Sequence, residues 1–261
     1  MSRTNRASAA AGGMLLVVLA LPILGLVAGT RPADLLAAIG DAGVQAALWL
    51  SLQTTLVSLA LVLAFGTPLA WMLSRSRGTR RSVALTLIEL PVVMPPAVLG
   101  VALLQTFGRG GTLGPLLGAL GIALPFSTAA VVLAQILVGA PLYVIAAVSA
   151  FSTVDDDLLL VARTLGAQPV RAWWSVALPT AAPGLIGGAA LAWARALGEF
   201  GATLMFAGNL PGHTQTLPLA IYASLERDMD LARAASVLLV AVAVGLLLGV
   251  RALGTGGIRA R

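Results

Sequence analysis

The sequence predicts an all-α integral membrane protein with about six transmembrane helices, and three observations support this fold class. Of the 261 residues, 59% are hydrophobic and only 10% are charged, whereas soluble domains carry about 25% charged residues. Apolar runs without a charge recur along the chain, and a helix needs about 20 such residues to cross a bilayer. The arginines gather at one set of run ends, which orients the helices.

The apolar runs place the helices at about residues 13–29, 47–73, 84–107, 127–151, 182–207 and 232–252. We expect one transmembrane domain over residues 13–253, with cytoplasmic tails at 1–12 and 254–261. Residues 1–30 also permit a second interpretation as a cleaved signal peptide, which would leave five helices. Segment 108–125 contains six glycines and two prolines, so it is expected to form an outer loop with room for a short interfacial helix.

The distribution of arginine fixes the expected orientation. With the N-terminus inside, eleven arginines lie on the cytoplasmic side and four lie outside, as the positive-inside rule requires of a bacterial cytoplasmic (inner) membrane protein that contacts lipid on all sides. The net charge of +6 does not indicate a nucleic-acid partner, because the arginines are dispersed and form no basic face.

Composition also excludes most catalytic chemistry. The chain has no cysteine and one histidine, His213, in a Gly-Pro-rich loop. Thiol catalysis and thiolate metal sites are therefore excluded, and a lone histidine cannot hold a metal by itself. We expect no catalytic residue, no metal site and no cofactor in this chain.

A polar segment at 155–179 interrupts the apolar pattern. Its three aspartates, Asp155 to Asp157, suit a helix N-terminus. Gly166 suits the end of that helix and Pro169 the first turn of the next. The pattern predicts an amphipathic helix, a glycine turn and a second helix near the membrane surface, with Pro179 and Pro183 breaking the chain before the fifth pass.

The apolar face of this segment is formed by Leu158, Val161, Ala162 and Leu165, which recur at helical spacing. Two interpretations stay open on physical grounds alone. The helix lies passively on the membrane surface, or its apolar face docks a soluble partner.

Charges within the apolar runs form a second group of candidates. Arg195 and Glu199 are four residues apart, so they share a helix face and can pair. Either the pair fixes packing, or it lines or gates a path for an oxyanion; a charge at mid-bilayer costs about 2.5–3.5 kcal/mol and needs a partner or water. Pro91, Pro95 and Pro96 prevent a regular third helix, so they mark either a cavity lined by free carbonyls or a packing kink.

The segment Ala162-Arg163-Thr164-Leu165-Gly166-Ala167, followed by Leu178-Pro179, resembles the EAA loop of ATP-binding-cassette importer permeases. In this sequence Leu160-Val161 replaces the usual Glu-Ala. The resemblance implies a coupling helix seated in a groove of a cytoplasmic ATPase. The residues implied to make that contact are Leu158, Val161, Ala162, Arg163, Thr164, Leu165, Gly166, Ala167 and Pro169.

Further segments are similar to molybdate and sulfate permeases. Two of them are residues 90–100 and residues 195–202. The third is residues 208–222, which begin with Gly-Asn-Leu-Pro-Gly, and this segment alone looks most like the molybdate branch. The candidate pathway or gate residues on these segments, or next to them in the case of Thr203, are Pro91, Pro95, Pro96, Arg195, Glu199 and Thr203.

The resemblance implies the transmembrane subunit of an ATP-driven molybdate or tungstate importer. It implies a partner ATPase dimer that binds ATP and Mg, an extracytoplasmic molybdate-binding protein, and a second copy of this chain. A sulfate or thiosulfate importer is the alternative within the same class. A self-contained secondary anion carrier is a remote one, because such carriers usually show several intramembrane acids, and only Glu89 and Glu199 qualify here.

Overall fold

The computed structural model describes the backbone of residues 3–256 and the side chains of residues 11–250 and 252, and all regular structure within it is helical. The ends of the two expected tails, residues 1–2 and 257–261, lie outside the described residues. The α-helices in chain order are α1 Arg3–Ala28, α2 Pro32–Gly40, α3 Ala42–Arg75, α4 Thr79–Val93, α5 Pro96–Phe107, α6 Gly114–Ala119, α7 Thr128–Ser152, α8 Asp156–Thr164, α9 Pro169–Ala172, α10 Leu178–Leu197, α11 Gly201–Ala207, α12 Leu217–Leu225 and α13 Met229–Gly256.

Five described helices are long and apolar enough to cross a membrane, and a bent pair makes a sixth candidate. The five spans are Ala11–Ala28, Ala42–Arg75, Thr128–Ser152, Pro169–Leu197 and Met229–Val250. The expected fold class is confirmed. The short helix α6 lies within the glycine-rich segment 108–125, for which the sequence allowed a short helix in an outer loop.

The expected third pass at 84–107 is not a regular helix, as its prolines predict. The chain forms α4 and α5, which meet at a bend of 114°. Met94 and Pro95 at the break are extended, with ψ of 137° at both. The cause is local: a residue before proline disfavours the helical region, and Pro96 occupies the first turn of a new helix, where its missing N–H costs nothing.

The expected fifth helix at 182–207 needs two corrections. Its helix begins earlier, because a π-helical turn at Trp173–Ala177 joins α9 to α10 without a break. The wider turn accommodates Pro179 at the start of α10, and Pro183 also stays inside the helix. The helix then ends at Leu197, and α11 starts separately at Gly201.

The core is formed by α3, α7 and α10. Tyr143 and Phe151 of α7 are fully buried in it. A Cβ atom built on Gly184 or Gly188 of α10 would lie 2.5 Å or 2.7 Å from the Cβ of an α7 alanine, Ala150 or Ala146. These two glycines therefore serve helix packing within one subunit.

Two helices outside the expected six complete the end of the bundle opposite α8. α2 and α12 pack with α3 and the start of α13 around Val44, Ala47, Leu217 and Ala235. The apolar window of α1 contains no buried residue, and α1 packs mainly against α13. α1 therefore adds little to the core of the single chain.

Candidate functional site

Glu199 occupies the break between α10 and α11 and is 1% exposed. One carboxylate oxygen, Oε2, lies 2.9 Å from Nη1 of Arg195. The other, Oε1, accepts a hydrogen bond of 2.8 Å from the backbone N–H of Ala202, in the first turn of α11. The expected pair is confirmed, and the same carboxylate also satisfies a free amide of the new helix.

The start of α11 packs directly against the broken third pass. A Cβ atom built on Gly201 would lie 2.6 Å from Cβ of Pro96, and one built on Gly100 would lie 2.5 Å from Cβ of Met205. Only glycine permits this approach. The two helix breaks, at Pro95–Pro96 and at Glu199, are therefore held against each other.

A stripe of buried hydroxyls on α3 faces the same region. Ser51, Thr54, Thr55 and Ser58 recur at spacings of three, one and three residues, and each is at most 2% exposed. The hydroxyls of Thr54, Thr55 and Ser58 donate to backbone carbonyls of α3, and the hydroxyl of Ser51 accepts from a backbone N–H of α12. We did not single out these residues from the sequence, although their i, i+3, i+4, i+7 spacing on an apolar helix is a readable signal.

The stripe ties α3 to three other elements. Gln135 of α7 donates to Thr54 Oγ1 at 3.0 Å. Trp193 of α10 donates to Thr55 Oγ1 at 3.0 Å, two residues before Arg195. The backbone N–H of Leu217, at the start of α12, donates to Ser51 Oγ at 2.7 Å. The hydroxyls of α3 therefore contact α7, α10 and α12, and the bond to Trp193 lies two residues from Arg195.

The cytoplasmic segment has the expected order of helix, glycine turn and helix. Asp155 caps α8 by accepting from the N–H of Asp157 at 2.9 Å. At the other end Gly166 has φ of +90°, and the N–H of Ala167 donates to the carbonyl of Ala162 at 3.0 Å. This is a Schellman stop, which favours glycine at that position. Pro169 takes the first turn of α9, as expected.

Arg75, the last residue of α3, anchors this segment to the bundle. Its guanidinium forms an ion pair with Asp156 in the first turn of α8 and donates to the carbonyl of Val154 at 3.1 Å. It also lies over the ring of Trp71, 4.5 Å from the ring centroid. These contacts join the start of α8 to the end of α3.

The apolar side chains of α8 point in two directions. Leu159 packs against the core, and Ala162 is half-buried beside it. Leu158, Val161 and Leu165 are exposed, and Leu165 is 83% exposed. Ala162 therefore lies at the edge of the outer face, and an unpaired apolar surface remains.

Comparison with known proteins identifies the group to which this chain belongs. The family model described as "Binding-protein-dependent transport system inner membrane component" matches residues 63–254. The chain belongs to this family. It is a permease subunit and a multi-pass protein of the inner membrane.

Named relatives and a solved structure agree with this assignment. The molybdenum transport system permease protein ModB of Mycobacterium bovis is 51% identical over 208 residues, which cover 80% of this permease and 79% of that one. ModB of Escherichia coli K12 is 38% identical over 202 residues, covering 77% and 88%. The fold matches a bacterial ABC transporter that imports alginate, with a TM-score of 0.74, 16% identity, and coverage of 97% and 95%. The resemblance to molybdate permeases is confirmed.

The permease brings some of the candidate pathway residues together and leaves others apart. Arg195 and Glu199 pair, and Pro96 packs on Gly201 just beyond them. Thr203 is fully buried, and its hydroxyl has no hydrogen-bond partner among the described residues. Pro91 stays inside α4, before the bend.

Proposed function

We propose that this permease is the transmembrane subunit of an ATP-driven importer that carries molybdate or tungstate across the inner membrane. The similarity to a molybdenum transport permease at 51% identity over four fifths of the chain carries this proposal. The two broken passes that meet beside the Arg195–Glu199 pair are consistent with it, since irregular backbone at membrane depth is tolerated where it lines a cavity.

ATP hydrolysis belongs to a partner in this proposal. A dimer of cytoplasmic ATPase subunits binds ATP and Mg, and the permease performs no covalent chemistry. The exposed face of Leu158, Val161 and Leu165 offers an apolar docking surface of the kind that a groove in a soluble partner covers. Closure of the ATPases moves α8, and the contacts of Arg75 pass that movement to α3.

Arg195 is the residue that we propose to meet the anion. Its side chain is 37% exposed, whereas its partner Glu199 is buried. An arginine neutralised by a buried carboxylate attracts a dianion less strongly than a free one, so the anion passes without being trapped. The pair therefore acts as a gate contact.

The proposal includes two further partners. An extracytoplasmic molybdate-binding protein delivers the anion, in keeping with the binding-protein-dependent class. A second copy of the permease completes the pathway. The apolar window of α1 contains no buried residue, which is consistent with contacts beyond the single chain.

The test is cellular uptake of labelled molybdate, with and without the gene, at rising sulfate concentration. Gene-dependent uptake that survives a large excess of sulfate is the expected result. Uptake abolished by equimolar sulfate would assign the permease to sulfate or thiosulfate import instead. Absence of gene-dependent uptake for either anion would refute the oxyanion assignment.

A further inference from the structure

α4 carries a polar stripe that the proposed gate does not use. Ser82, Thr86 and Glu89 are spaced four and three residues apart, so they lie on one face of the helix. All three are exposed. Val83 and Leu87 lie on a different face, which is apolar and equally exposed.

The polar stripe lines an open cavity at the cytoplasmic end of α3 and α4. The cavity has a volume of about 430 Å³. Its polar lining includes Arg77 and Arg81 together with the three stripe residues. Two guanidinium groups therefore lie beside the start of α4, and the stripe continues along the helix from them.

The two arginines are available to a ligand. Nε of Arg81 donates to the carbonyl of Leu73 at 3.1 Å, which fixes the side chain. Among the described residues, neither Arg77 nor the terminal nitrogens of Arg81 have a hydrogen-bond or ion-pair partner. Guanidinium groups offer paired N–H donors that match the oxygens of a tetrahedral oxyanion.

Polar side chains along a membrane helix need water or a partner. Glu89 is the deepest polar group of the stripe, and an intramembrane acid of this kind usually faces a wet cavity. Its negative charge opposes an anion beside it, so the favourable position for an anion lies further out, between Arg77 and Arg81. The stripe thus provides a wet path, and the two arginines at its outer end provide a position that binds an anion.

We infer that this face of α4 lines the inner section of the translocation path, and that Arg77 and Arg81 form a release site for the transported tetrahedral oxyanion. The inference rests on the proposed function and names the residues of its exit. The anion that has passed the gate is drawn outward by the two arginines, and it leaves into the cytoplasm because charges in this open cavity are screened by salt.

A phospholipid is the other source of a tetrahedral oxyanion at this position. The geometry favours the free anion, because the face adjoining the arginine cavity is polar. A lipid with its phosphate in the cavity would lay its acyl chains along Ser82, Thr86 and Glu89, whereas the apolar cavity lined by Val83 and Leu87 lies on another face of α4.

The absence of cysteine from the chain permits a direct test by thiol labelling. Single cysteines are introduced as S82C and T86C on the polar face, with V83C and L87C as matched controls one residue away. Inside-out vesicles that hold the assembled transporter are treated with membrane-impermeant thiol reagents, one anionic and one cationic. The labelling rate of each cysteine is divided by the rate at which the same reagent reacts with a small free thiol in solution.

We expect S82C and T86C to react about tenfold faster than V83C and L87C, since charged reagents enter water but not lipid. We also expect the anionic reagent to react at S82C about tenfold faster than the cationic one, because clustered positive charge raises the local concentration of anions by that order. The substitution R81Q should remove this preference, while R80Q, with the same change of net charge on the apolar side, should retain it. Molybdate should protect S82C.

Three results would overturn the inference. Equal reactivity on both faces would mean that the stripe is not a separate wet path. An unchanged anion preference in R81Q would remove the release site. Protection of S82C by phosphatidylglycerol in the vesicles, rather than by molybdate, would assign the cavity to a lipid headgroup.

The two proposals fail in different ways. The reactivity of the two faces is independent of which anion the transporter carries, and inorganic phosphate or sulfate can replace molybdate in the protection assay. Absence of gene-dependent molybdate uptake would therefore refute the proposed substrate, while the reactivity of the two faces of α4 would still test the wet path.

Discussion

Removal of Arg195 should expose how strongly the break between α10 and α11 depends on charge balance. The substitution Arg195→Ala leaves the carboxylate of Glu199, which is 1% exposed, without its partner at 2.9 Å. Loss of one partner of a buried pair costs about 3–5 kcal/mol. Since Arg195 is itself 37% exposed, the pair is only partly buried, and we expect about 3 kcal/mol, the lower end of this range.

The substitution Glu199→Gln removes the charge of this side chain but keeps its ability to cap α11. Its amide oxygen can still accept from the N–H of Ala202, so the first turn of α11 remains satisfied. We expect a loss of about 1–2 kcal/mol. The double variant R195A/E199Q should lose less than the sum of the single losses, because it leaves no charge buried.

The assay is equilibrium unfolding in mixed detergent micelles, followed by tryptophan fluorescence; Trp193 lies within two residues of the pair and bonds to Thr55. Arg227→Ala, at an exposed loop position, is the control and should change stability by less than about 0.5 kcal/mol. If R195A is no more destabilising than R227A, or if the losses in the double variant simply add, the pair does not hold this break.

Three other substitutions test separate parts of the structure. Gly166→Asp should leave the permease inserted but uncouple ATP hydrolysis from uptake, because φ of +90° at the Schellman stop costs a side chain about 1–3 kcal/mol; normal uptake with normal ATP use would disprove this placement of the coupling turn. Ser51→Ala should lower the unfolding free energy by about 1–3 kcal/mol, since it leaves the first amide of α12 unpaired, whereas Ser58→Ala, which removes only a bond within α3, should cost less. Gly100→Ala should cost about 1–3 kcal/mol by overpacking against α11, while Gly187→Ala, with nothing within 4 Å, should be tolerated in the same unfolding assay.

The sequence was most informative where local chemistry decides the structure. The α7 span at Thr128–Ser152 differs from its expected bounds by one residue at each end, since one apolar run without interruption specifies it. The stop at Gly166 and the start at Pro169 follow from backbone rules that do not depend on the rest of the fold. The four-residue spacing of Arg195 and Glu199 likewise indicates their pairing.

The sequence was less informative where packing between distant segments decides. The end of α10 at Leu197 depends on the approach of Gly201 to Pro96, about a hundred residues away in the chain, and no local signal gives that contact. The prolines at 179 and 183 indicated a break, but Pro179 directly follows the π-helical turn at the start of α10, and Pro183 stays inside that helix. The hydroxyls from Ser51 to Ser58 are an exception, because their helical spacing in the sequence indicates a shared face.

The most direct test of the account is transport by the reconstituted system. The permease is placed in vesicles with its ATPase, the molybdate-binding protein and ATP, and accumulation of labelled molybdate is measured against Leu165→Asp, which puts a charge on the exposed face of α8. The account predicts ATP-dependent accumulation with the unmodified permease and its loss in the variant at unchanged insertion. Accumulation that needs no ATPase, or that L165D leaves unchanged, would contradict it.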